Sequence, residues 1–185
     1  HIHFNIPIIT LVAGKKIKFY KNIFGNSTSI IRVMPNTPAS FGKGISAVYP
    51  CKKTKKVNLE KTKKIFTAVG KVITLKQEKQ MDIVTAISGS GPAYVFLFIE
   101  NLIKTAINNG LDEKIADILV KETFLGSSYM ASISKKSPEE LRIDVTSPGG
   151  VTEAALEEFN KNSIFKKTIE KAIKSAVKKS ITLSN

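Results

Sequence analysis

Residue 77 divides this chain into two stretches with different hydrophobic periodicities. Before it, short apolar runs such as Ile8–Val12 and Ile30–Met34 alternate with helical patterns. After it, the strand patterns end and apolar residues recur only at helical spacing. Alternating strands and helices are typical of βαβ units that build a parallel sheet. The sequence therefore predicts an α/β domain over residues 1–77 and an all-α domain over residues 78–185.

Glycine and proline residues mark the ends of elements in the first stretch. Gly25 follows a helical face at Lys15–Phe24, at the position that a helix C-terminus favours. Pro35 and Pro38 predict a loop after the second strand. The same patterns predict three further elements, in chain order a strand at Ile45–Tyr49, a helix at Val57–Val69 and a strand at Val72–Leu75.

Helix-start signals organise the second stretch. Pro92–Asn109 is apolar on most of its circumference and is predicted to be a buried core helix. Asp112 is predicted to cap a helix that runs to Ser134, and Ser137 to Glu140 has the capping-box pattern. About five helices, including one at Ser163–Leu183, leave more apolar surface than one chain can hide. We therefore expect an intertwined homodimer.

The charge of the chain raises the question of an anionic partner. Lys and Arg number 29 against 15 Asp and Glu, which gives a net charge of +14. Only Arg32 and Arg142 are arginine, and the lysines lack interleaved aromatic residues, whereas arginine forks and stacked aromatic rings carry nucleic-acid recognition. No window approaches the ~18 unbroken apolar residues of a membrane span. We predict a lysine-rich solvated surface, with no nucleic-acid or membrane partner.

The cysteine content and the first residues bear on location and on metals. Cys51 is the single cysteine, so no internal disulfide can form and a reduced cytoplasmic location is predicted. The chain opens with His1-Ile2-His3, without an initiator methionine or the features of a signal peptide, and is interpreted as N-terminally truncated. Because no Asp, Glu or Cys lies near the two histidines, no metal site is predicted.

Thr146 to Thr152 is the segment with the clearest chemical meaning. Pro148-Gly149-Gly150 predicts a tight turn, and a helical pattern begins at Val151. The first N–H groups of such a helix lack intrahelical partners and attract a small anion such as a carboxylate. The alternative is that the hydroxyl of Thr146 or Ser147 simply caps the helix.

Two other segments rich in glycine or proline carry weaker signals. Ser88 to Gly91 precedes a predicted helix, but neither a P-loop nor a dinucleotide turn surrounds it. Small residues there also allow close approach of a neighbouring element, which needs no ligand. Asn36 lies between two prolines after a strand, where α/β sheets bind ligands. It could equally be a turn residue.

Taken together, these segments resemble the pyrroline-5-carboxylate reductase family, over almost the whole chain. The similarity rests on four segments in the order of the family: Val12-Ala13-Gly14, Arg32 to Ala39, Asp82 to Tyr94 and Pro138 to Phe159. The resemblance implies a partial Rossmann-like NAD(P)-binding α/β domain followed by an all-α dimerisation domain. It further implies NAD(P)H-dependent reduction of 1-pyrroline-5-carboxylate to L-proline, by a homodimer or a higher oligomer of dimers.

The resemblance also assigns site residues. Thr152 matches the threonine that hydrogen-bonds the substrate ring nitrogen, and Ser147 is placed beside it in the catalytic site. The substrate pocket would include Glu78, Gly149, Gly150 and Val151 in addition to Thr152. Ala13, Gly14 and Asn36 match positions on the nicotinamide side of NADP or NAD. Direct hydride transfer to the C=N carbon would then depend on orientation of the two reactants.

The chain departs from the family pattern at two places. Asp144 lies one residue further along than the acidic residue of the family, so any supporting role for it is in doubt. The Gly-x-Gly-x-x-Gly segment that holds the cofactor pyrophosphate is absent from these residues. The alternative to an active enzyme is therefore a catalytically silent dimerising fragment.

Overall fold

The structure is a computed structural model that describes residues 6–183. It divides into two compact units, one running to Pro92 and including the residues from Lys171 onward, the other spanning Ala93–Glu170. The strands are β1 (Ile8–Thr10), β2 (Ile30–Met34), β3 (Gly44–Pro50) and β4 (Gly70–Thr74). The α-helices are α1 (Ile17–Phe24), α2 (Lys56–Thr67), α3 (Gln80–Val84), α4 (Gly91–Asn108), α5 (Glu113–Ile133), α6 (Pro138–Asp144), α7 (Val151–Asn160) and α8 (Ile164–Leu183).

The four strands form one mixed sheet in the order β1-β2-β3-β4. β1 and β2 are parallel, as are β3 and β4, but β2 and β3 are antiparallel. The sequence-based expectation of a parallel sheet is therefore wrong at the centre. A parallel pair needs a crossover connection of a dozen or more residues, usually a helix. Only a short connection with a 3₁₀ turn at Thr37–Phe41 joins β2 to β3, so the chain reverses there.

β2 is the centre of the α/β core, and all of its residues are buried. Its side chains alternate between the two faces of the sheet, as strand geometry requires. Ile30 packs on one face with Ile17 and Tyr20 of α1. On the other face, residues of β2 and β3 pack against α2 and β4 through Ile31, Val33, Val48, Leu59, Phe66 and Val72.

Both predicted helix starts are confirmed in the all-α stretch. The Asp112 carboxylate accepts hydrogen bonds from the N–H groups of Lys114 and Ile115, at 2.9 and 3.2 Å. The Ser137 hydroxyl accepts from the Glu140 N–H at 3.2 Å, and the Glu140 carboxylate accepts from the Ser137 N–H at 2.6 Å. This reciprocal pair is a complete capping box and begins α6.

The prediction that α4 is a buried core helix is wrong for the isolated chain. None of its residues is buried, and Phe96 and Leu97 are 62% and 58% exposed. The helical stretch Gln80–Asn108 is also long and apolar enough to cross a membrane, by length and composition. The α4 helix is apolar around most of its circumference, as predicted, but contacts within the chain do not cover these apolar side chains.

Candidate functional site

The turn before α7 has the geometry that the glycines predict. Gly149 has φ +70°, a conformation that side chains rarely adopt, and a Cβ on Gly150 would lie 2.9 Å from the carbonyl oxygen of Ser147. The Gly150 N–H donates to that same carbonyl at 3.0 Å. The Gly149 N–H donates to the Glu153 carboxylate at 2.6 Å. Both glycines are therefore required by the backbone path, and both of their N–H groups are occupied.

No side chain caps α7. Gly150 occupies the N-cap position without a side-chain hydrogen bond. The Thr146 hydroxyl donates backwards to the carbonyl of Arg142, at 2.6 Å. Among the described residues, neither the N–H groups of Val151 and Thr152 nor the hydroxyls of Ser147 and Thr152 have a hydrogen-bond partner. The simple-cap alternative is not observed, and the helix start offers donors to a small anion.

A second set of predicted residues lies at one edge of the sheet. Ala13 and Gly14 follow β1, and Asn36 follows β2, so all three lie beyond the carboxyl ends of neighbouring parallel strands. The Asn36 side-chain oxygen accepts a hydrogen bond from the Ile45 N–H at 3.0 Å. The side chain thus anchors the turn to β3, which confirms its turn role without testing its role as a ligand contact.

Glu78 lies in the α/β unit and joins two elements there. Its Oε1 accepts from the Ile17 N–H at 2.7 Å and from the Arg32 guanidinium at 3.0 Å. The Arg32 side chain is 5% exposed, and that of Glu78 is 26% exposed. The sequence alone did not predict Arg32 or Ile17 as partners of Glu78. A lone arginine in a strand flanked by apolar residues was the available signal that an acid must be buried beside it.

Thr152 and the other residues of the α7 turn belong to the helical unit, whereas Glu78 and the strand-end residues belong to the α/β unit. The residues of the α7 turn are neighbours along the chain, and Ala13, Gly14 and Asn36 follow neighbouring parallel strands. Across residues 6–183, no group of three His, Cys, Asp or Glu side chains is arranged to hold a metal ion. His1 and His3 lie outside the described residues.

Cys51 is buried beside α1. Burial raises the pKa of its thiol, but hydrogen bonds to Ile30, Thr54 and Lys53 and the positive charge of Lys21 together outweigh burial, and the pKa lies below its usual value. The sulfur accepts from the Ile30 N–H at 3.3 Å. These contacts give Cys51 a role in core packing.

Comparison with known proteins gives one consistent result. Residues 78–183 match the family described as pyrroline-5-carboxylate reductase dimerisation. Pyrroline-5-carboxylate reductase 2 of Bacillus subtilis is 38% identical over 94% of this chain and 62% of its own length. Pyrroline-5-carboxylate reductase of Arabidopsis thaliana is 39% identical over 97% of this chain and 64% of its own length.

Solved structures agree with the sequence comparisons. The crystal structure of Plasmodium falciparum pyrroline carboxylate reductase with NADP bound has a TM-score of 0.90 and 36% identity, covering 97% of this chain and 68% of that one. The Coxiella burnetii pyrroline-5-carboxylate reductase structure has a TM-score of 0.92 and 34% identity, covering 99% and 67%. The chain thus spans somewhat less than two thirds of the length of the two curated relatives. On these matches, the chain belongs to the pyrroline-5-carboxylate reductase family.

Proposed function

We propose that this protein reduces 1-pyrroline-5-carboxylate to L-proline with NADPH or NADH, in the cytoplasm. The family membership supports the reaction class. The observation that carries the proposal is the α7 turn, where two glycines shape the backbone and the first helical N–H groups, next to a threonine hydroxyl, have no partner among residues 6–183. Such a turn suits a small ligand that has both a carboxylate and a polar ring atom.

In this proposal the substrate carboxylate binds at the start of α7. The N–H groups of Val151 and Thr152 meet it, while Gly149 and Gly150 act through the backbone path that they permit. The Thr152 hydroxyl holds the ring nitrogen, and Ser147 adds a second hydroxyl nearby. Glu78, which the resemblance assigns to the pocket, makes its hydrogen bonds within the α/β unit, to the Ile17 N–H and the Arg32 guanidinium. Catalysis then comes from orientation of the C=N carbon and from fixed dipoles at the developing charges.

The residues at the sheet edge fit one end of a nicotinamide cofactor. Ala13 is exposed after β1, and the Asn36 amide nitrogen has no partner among the described residues, so a carboxamide-sized polar group can bind there. The cofactor supplies the hydride when bound. Ala13, Gly14 and Asn36 would hold its nicotinamide side, and these residues contribute no pyrophosphate-binding glycine motif.

We further propose that residues 78–185 form a helical dimerisation and substrate domain, after a partial NAD(P)-binding domain at residues 1–77. The chain exposes 13409 Å², whereas a compact monomer of this mass exposes about 8,800 Å². The excess of about 4,600 Å² per chain is larger than the roughly 1,000–2,500 Å² per subunit that obligate homodimers bury. Much of the exposed area is apolar and lies on α4 and α5. Dimers can associate further into a larger oligomer.

Substitution of Thr152 tests the catalytic part of the proposal. We expect the Thr152→Ala substitution to lower kcat/KM about 10- to 100-fold, because the substitution removes a hydrogen bond to a charged group. Thr152→Ser keeps the hydroxyl and serves as the matched control, with activity near that of the wild type. Proline formation is followed by NADPH and NADH oxidation. Wild-type protein without turnover on either cofactor would favour the silent dimer instead.

A further inference from the structure

The loop between β1 and α1, residues 11–16, is held by contacts from distant parts of the chain. We refer to it as the β1–α1 loop. At its start, the Val12 N–H donates to the Thr10 hydroxyl at 3.4 Å, and that hydroxyl is hydrogen-bonded to Tyr20 at 2.5 Å. In its middle, Gly14 lies against Leu183. The loop ends at the first turn of α1, where the Glu78 carboxylate accepts a hydrogen bond from the Ile17 N–H.

Glu78 supplies the cap that α1 lacks in its own sequence. Lys16 occupies the N-cap position and makes no side-chain cap, and no acidic residue lies in the first turn. The Glu78 carboxylate, 61 residues away along the chain, accepts the Ile17 N–H at 2.7 Å. A carboxylate at this position satisfies an orphan donor and complements the positive end of the helix dipole. The end of the β1–α1 loop is therefore fixed by a residue of another segment.

Arg32 holds Glu78 in place. Arg32 lies on β2 directly opposite Thr10 of β1, and its side chain is 5% exposed. The guanidinium donates to the same Oε1 atom that accepts the Ile17 N–H. Because a buried Arg without a partner is strongly unfavourable, this contact limits the rotamers that the Glu78 side chain can adopt. Glu78 is thus a rigid link between the sheet and the loop.

We propose that Glu78 is a positioning residue that sets the β1–α1 loop for the nicotinamide end of the cofactor. The loop carries Ala13 and Gly14, and the inference rests on the proposed function for the role of those two residues. Glu78 acts on the cofactor through the Ile17 N–H and Arg32. Loss of its carboxylate frees the loop and weakens cofactor binding, whereas the α7 turn and its substrate contacts are unaffected.

Steady-state kinetics separate positioning from a purely structural role. We expect Glu78→Ala to raise KM for NADPH about tenfold, with KM for 1-pyrroline-5-carboxylate and kcat changed less than about twofold. Glu78→Gln retains the accepting oxygen but not the charge, and should restore part of the affinity. Glu60→Ala, which removes an exposed pair with Lys63, is the matched control and should have wild-type constants. A fall in kcat with both KM values unchanged would overturn the proposal, because it indicates only a smaller folded fraction.

Amide hydrogen exchange tests the loop without substrate or cofactor. At a temperature where all variants are folded, exchange at Ile17 and in residues 11–16 should rise about tenfold in Glu78→Ala, and not in Glu60→Ala. Unchanged exchange there would overturn the positioning role. If the wild-type protein has no reductase activity, the proposed function fails, while increased exchange in Glu78→Ala still establishes that Glu78 holds the loop.

Discussion

Gly14 and Leu183 lie in contact, although they stand at opposite ends of the chain. A Cβ atom built on Gly14 would lie 2.7 Å from the Cβ of Leu183 and 3.1 Å from its carbonyl oxygen. The backbone of Gly14 has φ +79°, in the region that L side chains rarely adopt. The end of α8 thus closes over the turn that follows β1, and only glycine meets both conditions at residue 14.

Substitution of this glycine should destabilise the α/β unit. We expect Gly14→Ala to lower the free energy of unfolding by about 2–4 kcal/mol, since it adds a steric clash to the backbone strain. Gly25 has φ +88° and no atom within 4 Å of a built Cβ, so Gly25→Ala isolates the backbone strain. That control should cost about 1–2 kcal/mol. Chemical denaturation measures the free energy of unfolding of both variants. Equal losses of stability in Gly14→Ala and Gly25→Ala would contradict the contact between Gly14 and Leu183.

The capping box of α6 predicts a pH-dependent contribution to stability. Hydrogen bonds from the Ser137 backbone and hydroxyl hold the pKa of Glu140 below its usual value. A carboxylate whose pKa is lower in the folded state stabilises the fold above its unfolded pKa, and loses that contribution as pH falls through the folded value. We therefore expect the destabilisation caused by Glu140→Gln to be present at pH 7 and to shrink below about pH 4.5.

Substitutions of Ser137 and of Glu139 provide controls for the Glu140 prediction. Ser137→Ala should cost about 1 kcal/mol at pH 7, as the loss of an N-cap hydroxyl does elsewhere. Glu139→Gln removes the same charge from an exposed neighbour outside the capping box, and should leave the hydrogen bonds between Ser137 and Glu140 intact. An NMR titration that places the Glu140 pKa at or above that of a free glutamate would contradict the assignment.

One face of α5 should carry the dimer contact. Ile118, Leu125 and Tyr129 recur at helical spacing on this face and are 61%, 65% and 63% exposed. Burial of an unpaired charge is strongly unfavourable, so the double change Ile118→Asp with Leu125→Asp should weaken self-association about 100-fold or more. Light scattering after size-exclusion chromatography measures the mass of the particle.

The control for this prediction changes an exposed polar residue of the same helix. Ser127→Asp introduces a negative charge at an exposed position about 180° around the helix from Ile118, and should leave the dimer intact. A double variant that keeps the wild-type mass would place the interface elsewhere.

The helical stretch Gln80–Asn108 could also span a bilayer by length and composition. If a partner chain covers its apolar face, the wild-type protein should show no membrane binding in a vesicle flotation experiment.

Local chemistry in the sequence was sufficient for many elements of the fold. The predicted strand at Ile30–Met34 has the observed bounds, because an apolar run between turn signals defines it. The caps at Asp112 and Ser137 were predictable because their partners lie within three residues. The α7 turn was predictable because Gly149 and Gly150 permit a backbone path that other residues do not.

The sequence by itself thus determined most of the elements, the caps of α5 and α6 and the turn that begins α7, all of which depend on neighbours along the chain. Tertiary structure alone decided the antiparallel pairing of β2 with β3, the exposure of α4 and the partners of Glu78 and Gly14. Glu78 and Arg32 are 46 residues apart, and no local pattern encodes which distant groups meet. Such contacts are set by how the sheet and helices pack, since burial requires each charged or polar group to find a partner in space.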